Sequence, residues 1–198
     1  MAQFDAQDWL LLEAGASELQ DYLLSDELFW PVHAIPHAAE THELRLTNGN
    51  LLLSMARLGV VELSPQDRQR YEEFAAACEH TRTCWRANWQ MKSQKEFQSR
   101  FRTWRNFLSE LISSIVRRSS GPDETANWQQ QYVSQVRLRV ILQLLVEDNP
   151  NLEGKEVLFT DLDGRMQSLM VRGQFLWDEV YRQRFPEQNY WFLYSGLR

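Results

Sequence analysis

The feature that most constrains the fold is a stretch of 55 residues between Pro65 and Gly121 that contains neither glycine nor proline. Because these two residues are the strongest breakers of regular structure, such a stretch must be mostly helical. Ser64, Pro65 and Asp67 supply an N-cap hydroxyl, a proline at the first helical position and an early carboxylate, which are start signals. One unbroken helix would span about 80 Å, more than a compact domain of this size. We therefore expect a break or kink near residues 80–83, with an extended rod as the alternative.

An apolar seam runs along the second half of this stretch. Its members alternate spacings of four and three, the period of a helix packed lengthwise against a partner: Phe97, Phe101, Trp104, Leu108, Leu111 and Ile115. The next helix is predicted over residues 123–147, because Asn149 and Pro150 stop it. These segments, about 65–118 and 123–147, are expected to form a long central helix pair.

Further helices are predicted before and after this pair. One spans residues 5–24, a short one starts at Pro36, and another is capped by Thr47 or Asn48 and ended by Gly59. Residues 174–185 are expected to form a helix that ends at Pro186, and the apolar tail 190–194 is expected to be buried.

Residues 157–172 fit two interpretations. Apolar residues on either side of Asp163 and Gly164 are compatible with a small β-hairpin, whereas Thr160 with Asp163 is compatible with a helix cap. We favour the helix. The sequence as a whole predicts an all-α fold, an irregular multi-helix bundle built around the long central helix pair.

We expect a single domain over residues 1–198, with possible substructure at 1–63, 64–147 and 148–198. The chain begins acidic, without the basic leader of a secretory signal, and its apolar runs are too short for a membrane helix. These observations predict a cytoplasmic protein, with no membrane association, whose Cys78 and Cys84 are free thiols.

The net charge of −6 is unevenly distributed. Residues 1–79 carry 4 arginines and 14 acidic groups, a net charge of −10. Residues 80–118 carry 9 basic and 2 acidic groups, a net charge of +7, and the remaining residues are at −3. This pattern favours charge complementarity within the fold or between subunits over attraction to a polyanion.

Residues 157–164 resemble the first motif of the haloacid dehalogenase phosphatases, an apolar run followed by Asp161, any residue, Asp163 and Gly164. In that family the first Asp is the nucleophile and the second a general acid and base. Here Arg165 stands where that family usually has Thr. We therefore interpret the Asp and Gly residues as serving backbone geometry at a turn or helix start.

Two groups of side chains are candidates for binding. The first, which could hold a metal, comprises His33, His37, His42 and Glu40. The second is a basic, aromatic stretch over residues 82–105, whose candidate interaction surface comprises Arg82, Trp85, Arg86, Trp89, Arg102 and Arg105.

The long uninterrupted helix, its apolar seam and the opposed charge blocks support the main functional hypothesis, a non-enzymatic helical protein-interaction or scaffolding protein that binds a protein partner or itself and needs no cofactor. One alternative is a helical bundle that binds a metal or small ligand through the His33, His37 and His42 region, which includes a possible enzyme. The other is nucleic-acid binding by helix 82–105, where basic groups meet aromatic rings. We expect no nucleic-acid partner, and we recognise no family.

Overall fold

The structure is a computed structural model that describes residues 3–32, 44–116 and 122–197. The predicted helix starting at Pro36 lies outside these residues. The chain divides into two compact units, Met1–Glu96 and Phe97–Arg198. The expectation of a single domain over residues 1–198 stays a prediction.

The first unit is mostly helical. Its helices are α1 (Gln3–Leu24), α2 (Asn48–Leu58), α3 (Pro65–Cys84) and the start of α4 (Arg86–Val116). Two short strands, β1 (Trp30–Pro31) and β2 (Arg45–Leu46), pair antiparallel with Trp30 opposite Leu46. The helices predicted over 5–24 and from Thr47 to Gly59 are therefore confirmed, to within two residues.

Helix α2 begins where the sequence places its cap. The Thr47 side chain accepts a hydrogen bond from the backbone N–H of Asn50, and Gly59 follows the last helical residue. Glu96 also lies at this end: its carboxylate accepts the Thr47 hydroxyl at 2.7 Å and the Gly49 N–H at 2.9 Å. A carboxylate is favourable there because the first N–H groups of a helix carry partial positive charge.

The long helical stretch is broken at Trp85, slightly beyond the predicted position. Trp85 has φ −109° and ψ 36°, outside the helical range. Its N–H still donates to the Thr81 carbonyl at 2.9 Å, and its carbonyl accepts the Trp89 N–H at 2.9 Å. The break is therefore a kink of one residue between α3 and α4, and the half-buried indole packs against the core of the first unit.

The core of the first unit is formed by α1, β2, α2, α3 and the start of α4. Gly15 of α1 allows close approach, because a Cβ there would lie 2.7 Å from Leu51 Cδ1 and 3.0 Å from Cys78 Sγ. The buried members of this core are Leu12, Leu19, Tyr22, Leu23, Leu46, Leu51, Leu58, Cys78 and Trp89.

The second unit contains the rest of α4 and α5 (Pro122–Asp148), so the helix predicted over 123–147 is confirmed. The seam residues Phe97, Trp104, Leu108 and Leu111 are buried. Phe101 of the same seam is half-buried. The Phe107 ring of α4 lies 6.2 Å from the Trp128 ring of α5.

Residues 155–169 are helical. They form α6 (Lys155–Val157), a π-helical turn (Leu158–Leu162) and α7 (Asp163–Leu169). Strand β3 (Met170–Arg172) follows and pairs antiparallel with β4 (Ser195–Leu197), with Val171 opposite Gly196. The helical interpretation of this region is thus confirmed; a hairpin confined to 157–172 is not formed, because the partner of β3 is at the far end of the chain.

The helix predicted over 174–185 is wrong. The structure has only a single 3₁₀ turn, Glu179–Tyr181, there. The Gly173 N–H donates to the Tyr194 carbonyl at 2.7 Å and the Leu176 N–H donates to the Leu193 carbonyl at 2.9 Å. These bonds continue the pairing of β3 with β4, so residues 173–176 follow the tail instead of starting a helix.

The chain ends in α8 (Glu187–Tyr190), a 3₁₀ turn (Trp191–Tyr194) and β4. Tyr190, Phe192, Leu193 and Tyr194 are all buried, which confirms the prediction for the tail. The fold is mostly helical, as predicted, and the strands form only two small antiparallel pairs in the described residues. No helix in the described part of the chain has both the length and the apolar character needed to cross a membrane.

Candidate functional site

The second unit carries an open groove of about 410 Å³ along the first turns of its α4 segment. Helix α4 supplies one side, and the loop before α6 supplies the other. The lining residues are Phe97, Gln98, Phe101, Arg102 and Arg105 from the helix and Glu153 and Gly154 from the loop. We call this site the α4 groove.

The floor of the α4 groove is aromatic. Phe97 and Phe101 are four residues apart, so they lie on one helix face, and their rings stack with centroids 6.0 Å apart and planes at 17°. Phe97 is buried and Phe101 is half-buried, which leaves part of the second ring in contact with solvent. The groove therefore offers apolar surface to a bound group.

Gly154 closes the other side of the groove with a conformation that favours glycine. Its φ is +89°, in the left-handed region, where a side chain causes strain. A Cβ at this position would also lie 3.8 Å from Cε1 of Phe97. The loop thus approaches the aromatic floor without covering Phe101.

Two arginines form the basic part of the groove. Arg102 and Arg105 are exposed, and the Arg105 guanidinium carbon lies 5.9 Å from the centroid of the Phe101 ring. Neither guanidinium has a carboxylate within 4.0 Å among the residues described. Glu153 adds one negative group from the loop. The arrangement can bind a carboxylate through a forked guanidinium while an apolar group covers Phe101.

The other four residues of the predicted surface lie in the first unit, where they differ in how far their side chains are buried. Trp89 is only 3% exposed and belongs to the core, and Trp85 is half-buried beside it. The Arg82 guanidinium lies 5.2 Å from the Trp89 ring centroid and 3.1 Å from Glu79, whereas Arg86 is exposed. The tryptophans therefore pack in the core while Arg86 faces solvent.

The candidate metal ligands His33, His37, His42 and Glu40 lie outside the described residues. Within the residues that are described, no group of three or more His, Cys, Asp or Glu side chains is placed to hold a metal ion. Cys78 and Cys84 are free thiols, as predicted, and the exposed Cys84 Sγ lies 3.7 Å from Nε2 of His80.

The two aspartates of the phosphatase-like motif have structural partners. Asp161 is exposed and accepts Arg165 Nε at 2.7 Å. Asp163 is buried and forms an ion pair with Arg139. The helix-start interpretation is wrong, because Asp163 follows the π-helical turn without a break in the helical backbone and α7 has no side-chain cap. The Thr160 hydroxyl donates to the Glu156 carbonyl at 2.6 Å instead of capping α7. Neither carboxylate lines the α4 groove.

Sequence reasoning identified Arg102 and Arg105 but did not connect them with Glu153 and Gly154. The only local signal at the loop is the Gly154 residue itself, between the end of α5 and a helical pattern. Comparison with protein-family models, with curated proteins and with solved structures finds no match for this chain.

Proposed function

We propose that this chain is a non-enzymatic, cytoplasmic protein-interaction protein, working without a cofactor, and that the α4 groove is its docking site. The ligand is a protein segment that presents carboxylates beside an apolar side chain. The observation that supports this proposal is the exposed pair Arg102 and Arg105 next to the partly open Phe101 ring.

The charge of the groove favours a protein segment over a nucleic acid. Affinity for nucleic acid depends on neutralising many phosphates, so it requires several cations along the path of the backbone. The groove has two arginines opposite Glu153. A segment with one or two carboxylates matches that charge, and its apolar side chain gains from covering Phe101.

The geometry also favours a docked segment over a small enclosed ligand. Sites for small molecules bury most of the ligand surface in a cleft. The α4 groove is open along the helix, and its charged groups lie on both sides of the aromatic floor, Arg102 and Arg105 on the helix and Glu153 on the loop. Such an apolar floor with a polar rim is the usual anatomy of a protein interface.

Fluorescence anisotropy with a synthetic peptide tests the proposal. The probe is an amphipathic helical peptide of about 16 residues with Leu and Phe on one face and Glu beside them. Its control has Gln in place of every Glu. We expect the acidic peptide to bind with a Kd of about 10–100 µM and the Gln peptide to bind at least several-fold more weakly.

Substitutions in the protein test whether the acidic peptide binds in the α4 groove. Arg102→Gln with Arg105→Gln is expected to weaken the acidic peptide about tenfold, because two exposed ion pairs are lost. The matched control, Arg165→Gln with Arg172→Gln, removes two exposed arginines outside the groove and is expected to change nothing. Equal loss in both double variants, or no binding of the acidic peptide, would refute the proposal.

The same anisotropy titration also tests the alternative that the chain binds nucleic acid. An oligothymidine of about 20 nucleotides replaces the peptide, at low salt, where phosphate contacts are strongest. Tighter binding of the oligonucleotide than of the acidic peptide, weakened by Arg82→Gln and Arg86→Gln, would favour the nucleic-acid function over the one proposed.

A further inference from the structure

A second exposed surface of the chain has the opposite chemistry to the α4 groove. Residues 21–29, at the end of α1, contain three acidic side chains and no basic one. Asp21, Asp26 and Glu27 are exposed. Leu24 and Phe29 expose 50% and 38% of their surface. We call this surface the acidic segment.

The acidic segment is held in one conformation by hydrogen bonds. The Ser25 hydroxyl donates to the Tyr22 carbonyl at 2.8 Å and accepts the Glu27 N–H at 3.2 Å. The Tyr22 hydroxyl donates to the Leu28 carbonyl at 3.3 Å. A segment fixed in this way loses little conformational entropy when it binds.

Lys92 of α4 adds a further restraint. The side chain is 1% exposed, and its ammonium donates to the Glu27 carbonyl and to the Ser25 hydroxyl. It also lies 4.6 Å from the centroid of the Tyr22 ring. A buried cation is costly, and here the carbonyl, hydroxyl and ring that stabilise it belong to the end of α1 and the turn that follows.

The carboxylates of this surface remain open to a partner. Among the residues described, neither the Asp26 nor the Glu27 side chain accepts a hydrogen bond or lies within 4.0 Å of a basic group. The acidic segment therefore combines exposed carboxylates with the exposed Leu24 side chain. This combination is the chemistry that the α4 groove is proposed to bind.

We infer that the partner of the α4 groove is a second copy of this chain, whose acidic segment docks with Asp26 and Glu27 against Arg102 and Arg105 and with Leu24 against Phe101. This inference rests on the proposed function of the groove. The contact joins two different surfaces, so each copy offers one groove and one acidic segment. Lys92 is a positioning residue, because it holds the turn that carries the carboxylates.

Sedimentation velocity of the full-length chain tests the inference with two neutralised variants. One has Asp26→Asn and Glu27→Gln, and the other has Arg102→Gln and Arg105→Gln. We expect the wild type to associate with a Kd of about 10–100 µM and each variant alone to associate at least about tenfold more weakly. An equimolar mixture of the two has one intact groove facing one intact segment, so its association stops at a 1:1 dimer.

The substitution Lys92→Met distinguishes a positioning role of Lys92 from an effect of its charge. It makes the surroundings of the segment more acidic, so a purely electrostatic attraction to the arginines would become stronger. We expect weaker association instead, by several-fold, because the turn is no longer fixed. Circular dichroism first shows whether the Lys92→Met variant is folded. If this variant is not folded, the two neutralised surface variants still test the inference independently.

A wild type that stays monomeric at about 100 µM, or a mixture that associates no better than its components, would overturn the inference. If the synthetic acidic peptide still binds the groove in that case, only the identity of the partner is wrong. If that peptide also fails to bind, the proposed function itself is refuted.

Discussion

The guanidinium of Arg139 donates to both carboxylate oxygens of Asp163, from Nε at 3.0 Å and from Nη2 at 2.6 Å, and both side chains are buried. The same guanidinium donates to Gln143 Oε1 at 3.2 Å and lies 4.3 Å from the centroid of the Phe192 ring. This pair connects α5, α7 and the aromatic tail, so it fixes the part of the second unit that follows α5.

Breaking the Arg139 and Asp163 pair should strongly destabilise the fold. Arg139→Met leaves a buried carboxylate without its partner, and we expect the free energy of unfolding to fall by about 3–5 kcal/mol in a urea titration. Arg139→Met with Asp163→Leu should cost much less than the two single changes added together. As a control, Arg165→Gln breaks an exposed pair and should cost under about 0.5 kcal/mol. Additive losses in the double variant would contradict this account.

Burial of Cys78 should make stability fall at alkaline pH. Burial raises the pKa of this thiol from its ordinary value of 9.0 to about 12. The folded state therefore keeps a proton that the unfolded state loses, so the stabilisation is complete below pH 9.0 and decreases as the pH rises toward about 12. The slope is at most about 1.4 kcal/mol per pH unit.

Urea titrations from about pH 7.5 to 9 measure this effect before the tyrosines, whose ordinary pKa is 10.0, contribute strongly. Burial also raises the pKa of Tyr132 and of Tyr190, so they act in the same direction at higher pH. Cys78→Ala should reduce the slope, whereas Cys84→Ala, at an exposed thiol, should leave it unchanged. An identical slope in wild type and Cys78→Ala would show that Cys78 is not responsible.

Glu96 should stabilise the folded state, because its side chain binds the first turn of α2. Its carboxylate accepts hydrogen bonds from Thr47 and from Gly49, and it is fully buried. Glu96→Gln replaces one acceptor oxygen by a donor and removes the charge, so we expect a loss of about 1–3 kcal/mol in the free energy of unfolding. Glu72→Gln, at an exposed position of α3, is the control and should change stability by less than about 0.5 kcal/mol.

The sequence predicts those elements whose signals are local. Ser64, Pro65 and Asp67 define the start of α3, and Thr47 and Gly59 define both ends of α2, because caps act within one turn. The absence of glycine and proline between Pro65 and Gly121 predicts the long helical stretch. It does not locate the kink at Trp85, because that position depends on how the indole packs in the core.

Long-range pairings are what the sequence does not reveal. Strand β3 pairs with β4 near the end of the chain. In the same tail, the carbonyls of Tyr194 and Leu193 accept the N–H groups of Gly173 and Leu176. The π-helical turn before Asp163 brings that carboxylate to Arg139 of a different helix. No spacing rule connects residues so far apart along the chain.

The candidate site was predictable only in part. Arg102 and Arg105 stand out by composition, whereas their role beside Phe101 depends on the loop at Glu153 and Gly154. The sequence predicts that Trp85 and Trp89 are surface aromatic residues among basic ones, yet they pack with the core of the first unit. Whether a tryptophan faces the core or the solvent is decided by neighbouring elements, which one helix pattern cannot specify.

Photo-crosslinking locates the docking site most directly. The acidic amphipathic peptide carries a photoreactive phenylalanine on its apolar face and is irradiated with the full-length chain, and mass spectrometry maps the attachment points. The account predicts crosslinks within residues 97–105 and 153–154, which the Gln peptide does not give and which Arg102→Gln with Arg105→Gln reduces. Crosslinks spread over the surface, or concentrated around Arg86, would contradict the α4 groove as the docking site.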